Sequence, residues 1–174
     1  RDRVMVDKIV VSSHFEIENF TKNYGYPESD LIPSGMPRYD YTDTAKEPQN
    51  KILYAPSWRD KLIGKYIHRE RKLYDGILTN SNYYKGIVAF LTNPKLLESL
   101  EKNDVVLEFK PHPNFRGYAH LFDSFLNERI RLAEPNVQLE DYKLFITDFS
   151  SFNFDFLYLR DSDPSRSSSY IYLR

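Results

Sequence analysis

The sequence predicts an α/β fold built on a parallel β-sheet. Short apolar runs with the length of buried strands alternate with stretches predicted to be helical, which is typical of a parallel sheet. The clearest strands lie at 51–56, 104–110 and 144–148. Each is followed by polar or charged residues, and ligands of open α/β sheets bind at the carboxyl ends of the strands. We therefore expect a ligand site where these three runs end.

The N-terminal part of the sequence is predicted to form one strand and one helix. A β-branched run at 8–11 has the character of a short strand. Ser13, three residues before Glu16, resembles a capping box, and a helix is predicted from there over 15–23. Gly25 follows and is expected to end that helix.

A polar stretch at 39–50 has no apolar period and predicts a linker. Residues 1–38 then form the end of one domain, and 51–160 form a second. The segment 161–174 opens with a serine-rich stretch low in apolar residues, and we expect an irregular, mobile tail there. Because the sequence opens without an initiator Met, we expect a fragment or a processed product.

The second domain is predicted to alternate strands and helices throughout. Its elements after the first strand are a charged loop at 60–74, helices at 83–91 and 94–101, a strand at 104–110, a short helix at 118–125, strands at 130–132 and 144–148, and a helix at 151–159.

The composition excludes several classes of protein. The chain has 174 residues, 41% hydrophobic and 28% charged, which are values of a globular protein. Its formal net charge of -1 gives no basic field for nucleic acid, so no nucleic-acid partner is expected. The absence of cysteine excludes disulfides and thiolate metal sites. No Gly-rich phosphate loop, nucleophile elbow or His-Glu metal motif is present, and the sequence requires no metal.

His112 is the first candidate for chemistry. It lies between Pro111 and Pro113, directly after a predicted strand, and these prolines restrict the local backbone. An imidazole fixed there has the geometry to donate to a diphosphate oxygen and stabilise a leaving nucleotide. The alternative is an ordinary surface histidine in a proline turn. Lys110 precedes it as a candidate cation for phosphate, with a solvated lysine as the alternative.

Ser150 and Ser151 begin a predicted helix after the last strand. Free amides at a helix N-terminus, with small hydroxyls beside them, suit an anion, although simple helix capping explains the same residues. Asp148 either accepts hydrogen bonds from ligand hydroxyls or caps the loop. Arg59, at the end of the 51–56 strand, is a further candidate phosphate ligand, and a solvated charge is its alternative.

Four motifs in a fixed order resemble the CDP-glycerol glycerophosphotransferase family, the teichoic acid primase and polymerase group. They are Gly-Met-Pro-Arg-Tyr-Asp at 35–40, Ile-Leu-Tyr-Ala-Pro-Ser-Trp-Arg at 52–59, Lys-Pro-His-Pro at 110–113 and Ile-Thr-Asp-Phe-Ser-Ser-Phe-Asn-Phe-Asp-Phe at 146–156. The resemblance implies a GT-B fold, in which two Rossmann-like domains face a cleft. This chain would carry the C-terminal, donor-binding domain and only the end of the acceptor-side domain.

The resemblance also implies a reaction and residue roles. Glycerol phosphate would pass from CDP-glycerol, a donor substrate with no further cofactor, to a polyol phosphate or lipid-linked acceptor of a teichoic-acid-type or capsular polymer. His112 would match the family's catalytic, diphosphate-contacting histidine, and Ser150 and Ser151 its phosphate-binding serines. His68 is a candidate for the family's second histidine.

The same resemblance implies where such an enzyme works. We expect the bacterial cytoplasm or the cytoplasmic face of the membrane, with any peripheral membrane association made through parts that this chain does not contain. The fragment alone is expected to be inactive, because the general base would lie in the acceptor-side domain.

Two other interpretations remain open from the sequence. One is a GT-B glycosyltransferase that uses a nucleotide sugar, since the motifs do not distinguish CDP-glycerol from CDP-ribitol or a UDP-sugar. The other is a non-catalytic fragment that keeps only the fold. Preferential binding of a UDP-sugar over CDP-glycerol would indicate the glycosyltransferase. A folded chain that binds no nucleotide would indicate the non-catalytic fragment.

Overall fold

A computed structural model describes most of the chain, and it divides into two compact units. The units are Arg1–Asp43 and Thr44–Arg174, so their boundary falls inside the stretch predicted to be a linker. The described residues are 6–40, 46–62, 66–67, 70–71, 75–161 and 169–172.

The first unit contains a two-stranded parallel sheet and one helix. Strand β1 (Ile9–Val10) pairs with β2 (Leu31–Ile32), and helix α1 (His14–Tyr24) connects them. The helix ends at Gly25, whose φ of 72° lies in the left-handed region that glycine adopts without steric cost.

The capping box is formed in a modified way. The Ser13 hydroxyl accepts from the Glu16 amide at 3.3 Å, as predicted. The Glu16 carboxylate, however, accepts from the amide and hydroxyl of Ser12, at 2.5 and 2.7 Å, and not from Ser13. These bonds lower the pKa of Glu16, the Ser12 amide having the largest effect.

The second unit is built on a five-stranded sheet. Its strands are β3 (Gln49–Tyr54), β6 (Val106–Phe109), β7 (Ile130–Leu132), β8 (Tyr142–Thr147) and β9 (Ser169–Tyr172), and two further strands, β4 (Tyr66–Ile67) and β5 (Glu70–Arg71), form a separate antiparallel pair. The helices are α2 (Asp75–Thr79), α3 (Asn82–Leu91), α4 (Pro94–Lys102) and α5 (Phe152–Asp161), with a 3-10 run at Pro113–Phe125.

The lateral order of the large sheet is β7-β6-β3-β8-β9, and every neighbouring pair is parallel. Numbered along the chain, this is the order 3-2-1-4-5 of a Rossmann-like, doubly wound sheet. The predicted α/β class is therefore confirmed. The chain leaves β3 towards β6 on one side and later returns to β8 on the other, so the topological switch point lies at the carboxyl ends of β3 and β8.

Two hydrophobic clusters bury the two faces of this sheet. Consecutive residues of β3 point to opposite faces: Tyr54 joins the cluster under α3 and α4, and Leu53 joins the cluster under α5. Other members of the first cluster are Ile87, Leu91, Leu100, Leu107, Phe109, Phe122, Ile130 and Ile146; those of the second are Leu139, Tyr142, Phe145, Phe156 and Leu159. The central strand is thus rigidly held, and it positions the loop that follows it.

The expectation of an irregular tail over 161–174 is wrong in part. Asp161 ends α5, and Ser169–Tyr172 forms β9 at the edge of the sheet, with Tyr170 opposite Phe145 of β8. The run Ser-Tyr-Ile-Tyr has the aromatic and β-branched composition of a strand. The serine-rich composition of the segment before it concealed that short run. Residues 162–168 and 173–174 lie outside the described residues.

The charged stretch at 60–74 also contains more structure than the predicted loop. A short 3-10 turn covers Asp60–Leu62, and later in the same stretch β4 pairs with β5. Antiparallel pairing between two-residue strands leaves almost no periodic signal in a sequence. His68, the candidate second histidine, lies outside the described residues.

Candidate functional site

Three loops meet at the carboxyl edge of the sheet. Residues 57–59 follow β3, 110–113 follow β6 and 148–151 follow β8. Because β3 lies between β6 and β8, the loop after β3 is the one that touches both of the others. The structure therefore brings most of the predicted site residues to one edge and places the 57–59 loop at its centre.

Asp148 joins the loops after β3 and β8. The residue is only 5% exposed, and both carboxylate oxygens accept hydrogen bonds: Oδ1 from the Ser57 amide at 2.6 Å, and Oδ2 from Arg59 Nη2 at 2.7 Å. Burial by itself would raise the pKa of Asp148, but the bonds from Ser57 and Arg59 outweigh it and lower the pKa. Asp148 is therefore an ionised anchor for the loop after β3.

The Arg59 guanidinium is held on several sides but stays partly open to solvent. Besides Asp148, it donates through Nη1 to the carbonyls of Ser57 and Trp58, each at 3.3 Å, and its carbon lies 5.3 Å from the centre of the Tyr83 ring. The side chain is 43% exposed. Arginine has five N–H donors, so a ligand can still approach this group.

His112 is fixed in one tautomer by its own loop. Its Nδ1 accepts from the Asn114 amide at 3.2 Å, so in the neutral imidazole the proton is on Nε2. Burial lowers the pKa of His112, which favours that neutral form. The ring lies 5.9 Å from the ring of Trp58. The remaining nitrogen is therefore an N–H donor beside the loop after β3.

Lys110 points away from the other candidates. Its Nζ donates to the carbonyl of Pro135 at 2.7 Å and lies 3.4 Å from that of Glu134, both in the loop after β7. Burial, and to a lesser extent Arg116, lowers the pKa of Lys110. Strand β7 is on the side of β6 opposite to β3, so this ammonium stabilises the neighbouring loop and does not meet Arg59. A ligand contact by Lys110 stays a prediction from the sequence.

The two serines have different roles at the start of α5. The Ser150 hydroxyl accepts from the Phe152 amide at 3.3 Å, and its carbonyl accepts from the Asn153 amide at 3.2 Å, so Ser150 caps the helix. Ser151 is exposed. Ser150 thus caps the helix, and Ser151 lies exposed beside the first amides of the helix.

Two residues of this site, and one buried polar residue close to it in sequence, were not predicted. Tyr83, at the first turn of α3, lies under Arg59, and an aromatic residue in a helix ordinarily indicates core packing. Trp58 lies within a recognised motif, yet its contact with His112 needed the strand order. Asn153 is 8% exposed, and its Oδ1 has no hydrogen-bond partner among the described residues. Burial of an unpaired polar side chain leaves no mark in sequence.

The arrangement presents donors to a ligand with several oxygens. Arg59 supplies a partly open cation, His112 an N–H, and Ser151 a hydroxyl beside helix amides, all at the carboxyl edge of the sheet. The phenols of Tyr54 and Tyr83 stay protonated, because burial above all raises the pKa of each. The described residues contain no group of three acidic or histidine side chains placed to hold a metal ion.

The fold defines a Rossmann-like protein whose switch point is lined by the hydrogen-bond donors Arg59, His112 and Ser151. Residues 1–161 match the family described as CDP-Glycerol:Poly(glycerophosphate) glycerophosphotransferase. The chain belongs to this CDP-glycerol glycerophosphotransferase family, and the resemblance inferred from the four motifs is confirmed.

Two curated relatives are similar to the chain over most of its length. The minor teichoic acid biosynthesis protein GgaB of Bacillus subtilis (strain 168) is 28% identical, over 86% of this chain and 17% of its own. The teichoic acid ribitol-phosphate polymerase TarL of Staphylococcus aureus (strain NCTC 8325 / PS 47) is 26% identical, over 95% of this chain and 26% of its own. The chain therefore spans about a quarter or less of either relative.

A solved structure shares the fold. It is that of the wall teichoic acid polymerase TagF, from a variant soaked with CDPG, and it matches 88% of this chain and 36% of its own with a TM-score of 0.53 and 18% identity. This likeness supports the predicted class, a Rossmann-like domain of the GT-B type. No helix among the described residues has the length and apolar character needed to cross a membrane.

Proposed function

We propose that this chain carries the donor site of a glycerol phosphate transferase and binds CDP-glycerol through its diphosphate. The observation that carries the proposal is the Arg59–Asp148 pair, which holds a partly open cation between the His112 loop and the start of α5. Membership of the family supports it, as does the soaking of TagF, a protein of similar fold, with CDPG.

The proposed transfer makes one P–O bond and breaks another. A hydroxyl oxygen of the acceptor attacks the phosphorus that carries glycerol, and the bond from that phosphorus to the bridging oxygen breaks, so CMP leaves with that oxygen. The acceptor proton goes to a base on the acceptor side. Negative charge grows on the bridging and non-bridging oxygens, and transferases of this kind work mainly by stabilising it.

Each hydrogen-bond donor of the protein has a role in that chemistry. Arg59 neutralises diphosphate charge, and the amides of α5 with Ser151 hold the other phosphate oxygens. His112 Nε2–H donates to the oxygen that leaves with CMP, which makes His112 the catalytic residue of this half. Bound phosphate raises the pKa of the imidazole and strengthens that hydrogen bond.

We further propose that the acceptor is a polyol phosphate, free or lipid-linked, in a teichoic-acid-type or capsular polymer. The names of GgaB, TarL and TagF, all teichoic acid proteins, support this. Such an enzyme would work in the cytoplasm or on the cytoplasmic face of the membrane. Efficient transfer needs the acceptor hydroxyl aligned with the donor, so we expect it only where an acceptor domain faces this site.

A nucleotide panel tests the proposed donor. CDP-glycerol and CDP should raise the melting temperature of the chain, with about 2.7 kcal/mol of stabilisation at roughly 100 times the dissociation constant. UDP, ADP and GDP, which have the same diphosphate and another base, are the control ligands. Arg59→Ala should reduce the increase in melting temperature that CDP causes. A larger shift with UDP or a UDP-sugar would instead indicate a nucleotide-sugar glycosyltransferase. A folded chain that none of these ligands stabilises would contradict the proposal.

A further inference from the structure

The Arg59 guanidinium contacts two side chains that are far from it in sequence, Asp148 and Tyr83. Asp148 contacts it edge-on, through one oxygen and Nη2 at 2.7 Å. Tyr83 contacts it face-on, with the guanidinium carbon 5.3 Å from the ring centre. The Asp148 contact and the longer Nη1 bonds to the Ser57 and Trp58 carbonyls, each at 3.3 Å, hold the guanidinium along its edges. The Tyr83 ring adds a contact of a different kind, through its π face.

Tyr83 is itself held firmly enough to act as such a support. It lies in the first turn of α3, and the Ser81 hydroxyl caps that helix by accepting from the Tyr84 amide at 3.1 Å. Its ring also packs on the ring of Phe115, with 5.4 Å between the ring centres, and against the first hydrophobic cluster. The ring is half-buried, and its neutral phenol leaves the electron-rich face available to a cation.

The same ring connects Arg59 to the histidine loop. Phe115, against which Tyr83 packs, donates its amide to the carbonyl of His112 at 2.7 Å. Tyr83 therefore touches the cation on one side and the residue that closes the His112 turn on the other. Packing against this turn holds the Tyr83 ring in place beside Arg59.

We propose that Tyr83 is a positioning residue for the diphosphate site: its ring, together with Asp148, fixes the Arg59 guanidinium so that its unpaired N–H groups face the donor phosphates. This inference rests on the proposed function. Tyr83 touches Arg59 and Phe115 in this structure, and its effect on the ligand passes through Arg59.

Calorimetric titration of CDP and of cytidine into Tyr83→Leu tests the inference. The affinity for CDP should fall about twofold to fivefold, the range of a cation–π contact at a partly exposed site. The affinity for cytidine, which has no phosphate, should stay the same. In an Arg59→Ala background the further change Tyr83→Leu should have no effect on CDP, because the group that it positions is gone.

Two variants separate positioning from folding. Tyr83→Phe keeps the ring and should restore the affinity for CDP. Tyr84→Leu is the matched control on the same helix: the Tyr84 ring packs on Phe122 at 5.0 Å, and its hydroxyl donates to the Leu121 carbonyl at 2.8 Å. It should lower the melting temperature without changing the ratio of the affinities for CDP and cytidine.

The outcomes distinguish this inference from the proposed function. If the wild-type chain does not bind CDP, the proposed function fails and this inference fails with it. If the wild type binds CDP and Tyr83→Leu binds it equally well, Tyr83 is not a positioning residue and the donor site stands. An equal loss for CDP and cytidine, or an equal loss in the Arg59→Ala background, would also overturn the inference.

Discussion

Arg59 and Asp148 form an ion pair that ties together the ends of β3 and β8, with 2.7 Å between Nη2 and Oδ2. The pair bridges the topological switch point of the sheet, where the crevice of a doubly wound fold opens. The carboxylate is buried and the guanidinium is partly exposed. This asymmetry lets the acid act as the anchor while the cation remains available to a ligand.

The stability contributed by Asp148 should depend on pH. Asp148→Asn keeps an oxygen for the Ser57 amide but loses the charge that Arg59 needs, so we expect a loss of about 2 kcal/mol at pH 7, the value of one charge-assisted hydrogen bond. The pKa of Asp148 is lowered in the fold. Its contribution is therefore complete above the ordinary value of 3.8 and is lost as the pH falls through the lower, folded pKa.

Urea unfolding of wild type and Asp148→Asn at pH 7, 5 and 3 measures this. The difference in the free energy of unfolding between the two proteins should be equal at pH 7 and pH 5, and it should be smaller at pH 3. A difference that stays the same at pH 3 would show that the lost interaction is not the ionised carboxylate.

Removal of the His112 side chain should weaken diphosphate binding without unfolding the chain. The imidazole is half-buried in a loop, and its loss removes one hydrogen bond to a charged ligand, or about 1.5–3 kcal/mol. We expect His112→Ala to bind CDP roughly tenfold to a hundredfold more weakly. Calorimetry with CDP and cytidine checks this, and unchanged CDP affinity would remove His112 from the site.

The titration of His112 can be followed through Trp58, the only tryptophan of the sequence. The two rings lie 5.9 Å apart, and an imidazolium quenches indole fluorescence, whereas a neutral imidazole does so weakly. Because burial lowers the pKa of His112, emission should rise with pH through a midpoint below 6.5. Saturating CDP should move that midpoint upward, since phosphate favours the charged form.

His112→Gln provides the control for this titration. Its emission should not change over the same pH range, because glutamine does not ionise. A midpoint that survives the substitution would mean that another group, and not His112, is being observed.

Asn153 should be a site where substitution stabilises the protein. Its side chain is buried on α5, and its Oδ1 has no hydrogen-bond partner among the described residues. An unpaired buried polar atom costs about 1–3 kcal/mol, so Asn153→Leu, which has the same branched shape, should raise the free energy of unfolding by about 1 kcal/mol. Chemical denaturation measures it. A clear loss of stability would indicate that the amide has a partner, such as buried water.

Much of the fold follows from local sequence signals. Ser13 caps the helix that it was predicted to begin, and the strand at Ile130–Leu132 has the predicted bounds. Caps and apolar periodicity act within one turn or one strand, so a single stretch of sequence contains them. The five-residue helix α2 and the strand β9 were not predicted, because each is too short to show a hydrophobic period.

The site was harder to predict, because it depends on which strands are neighbours. The sequence placed His112 and Ser151 at strand ends, but only the lateral order shows that the Ser57–Arg59 loop lies between them. Lys110 looked equivalent to Arg59, yet its side chain turns towards β7. Neither the direction of a long side chain nor the identity of the residue beneath it is contained in local patterns.

The most direct test of the donor site is an NMR titration of the ¹⁵N-labelled chain with CDP-glycerol. We expect the largest amide shifts in three loops, around Arg59, around His112 and around Ser151, and we expect Arg59→Ala to reduce the shifts in all three. Binding that shifts none of these loops, but instead the amino ends of the strands or residues of the first unit, would contradict it.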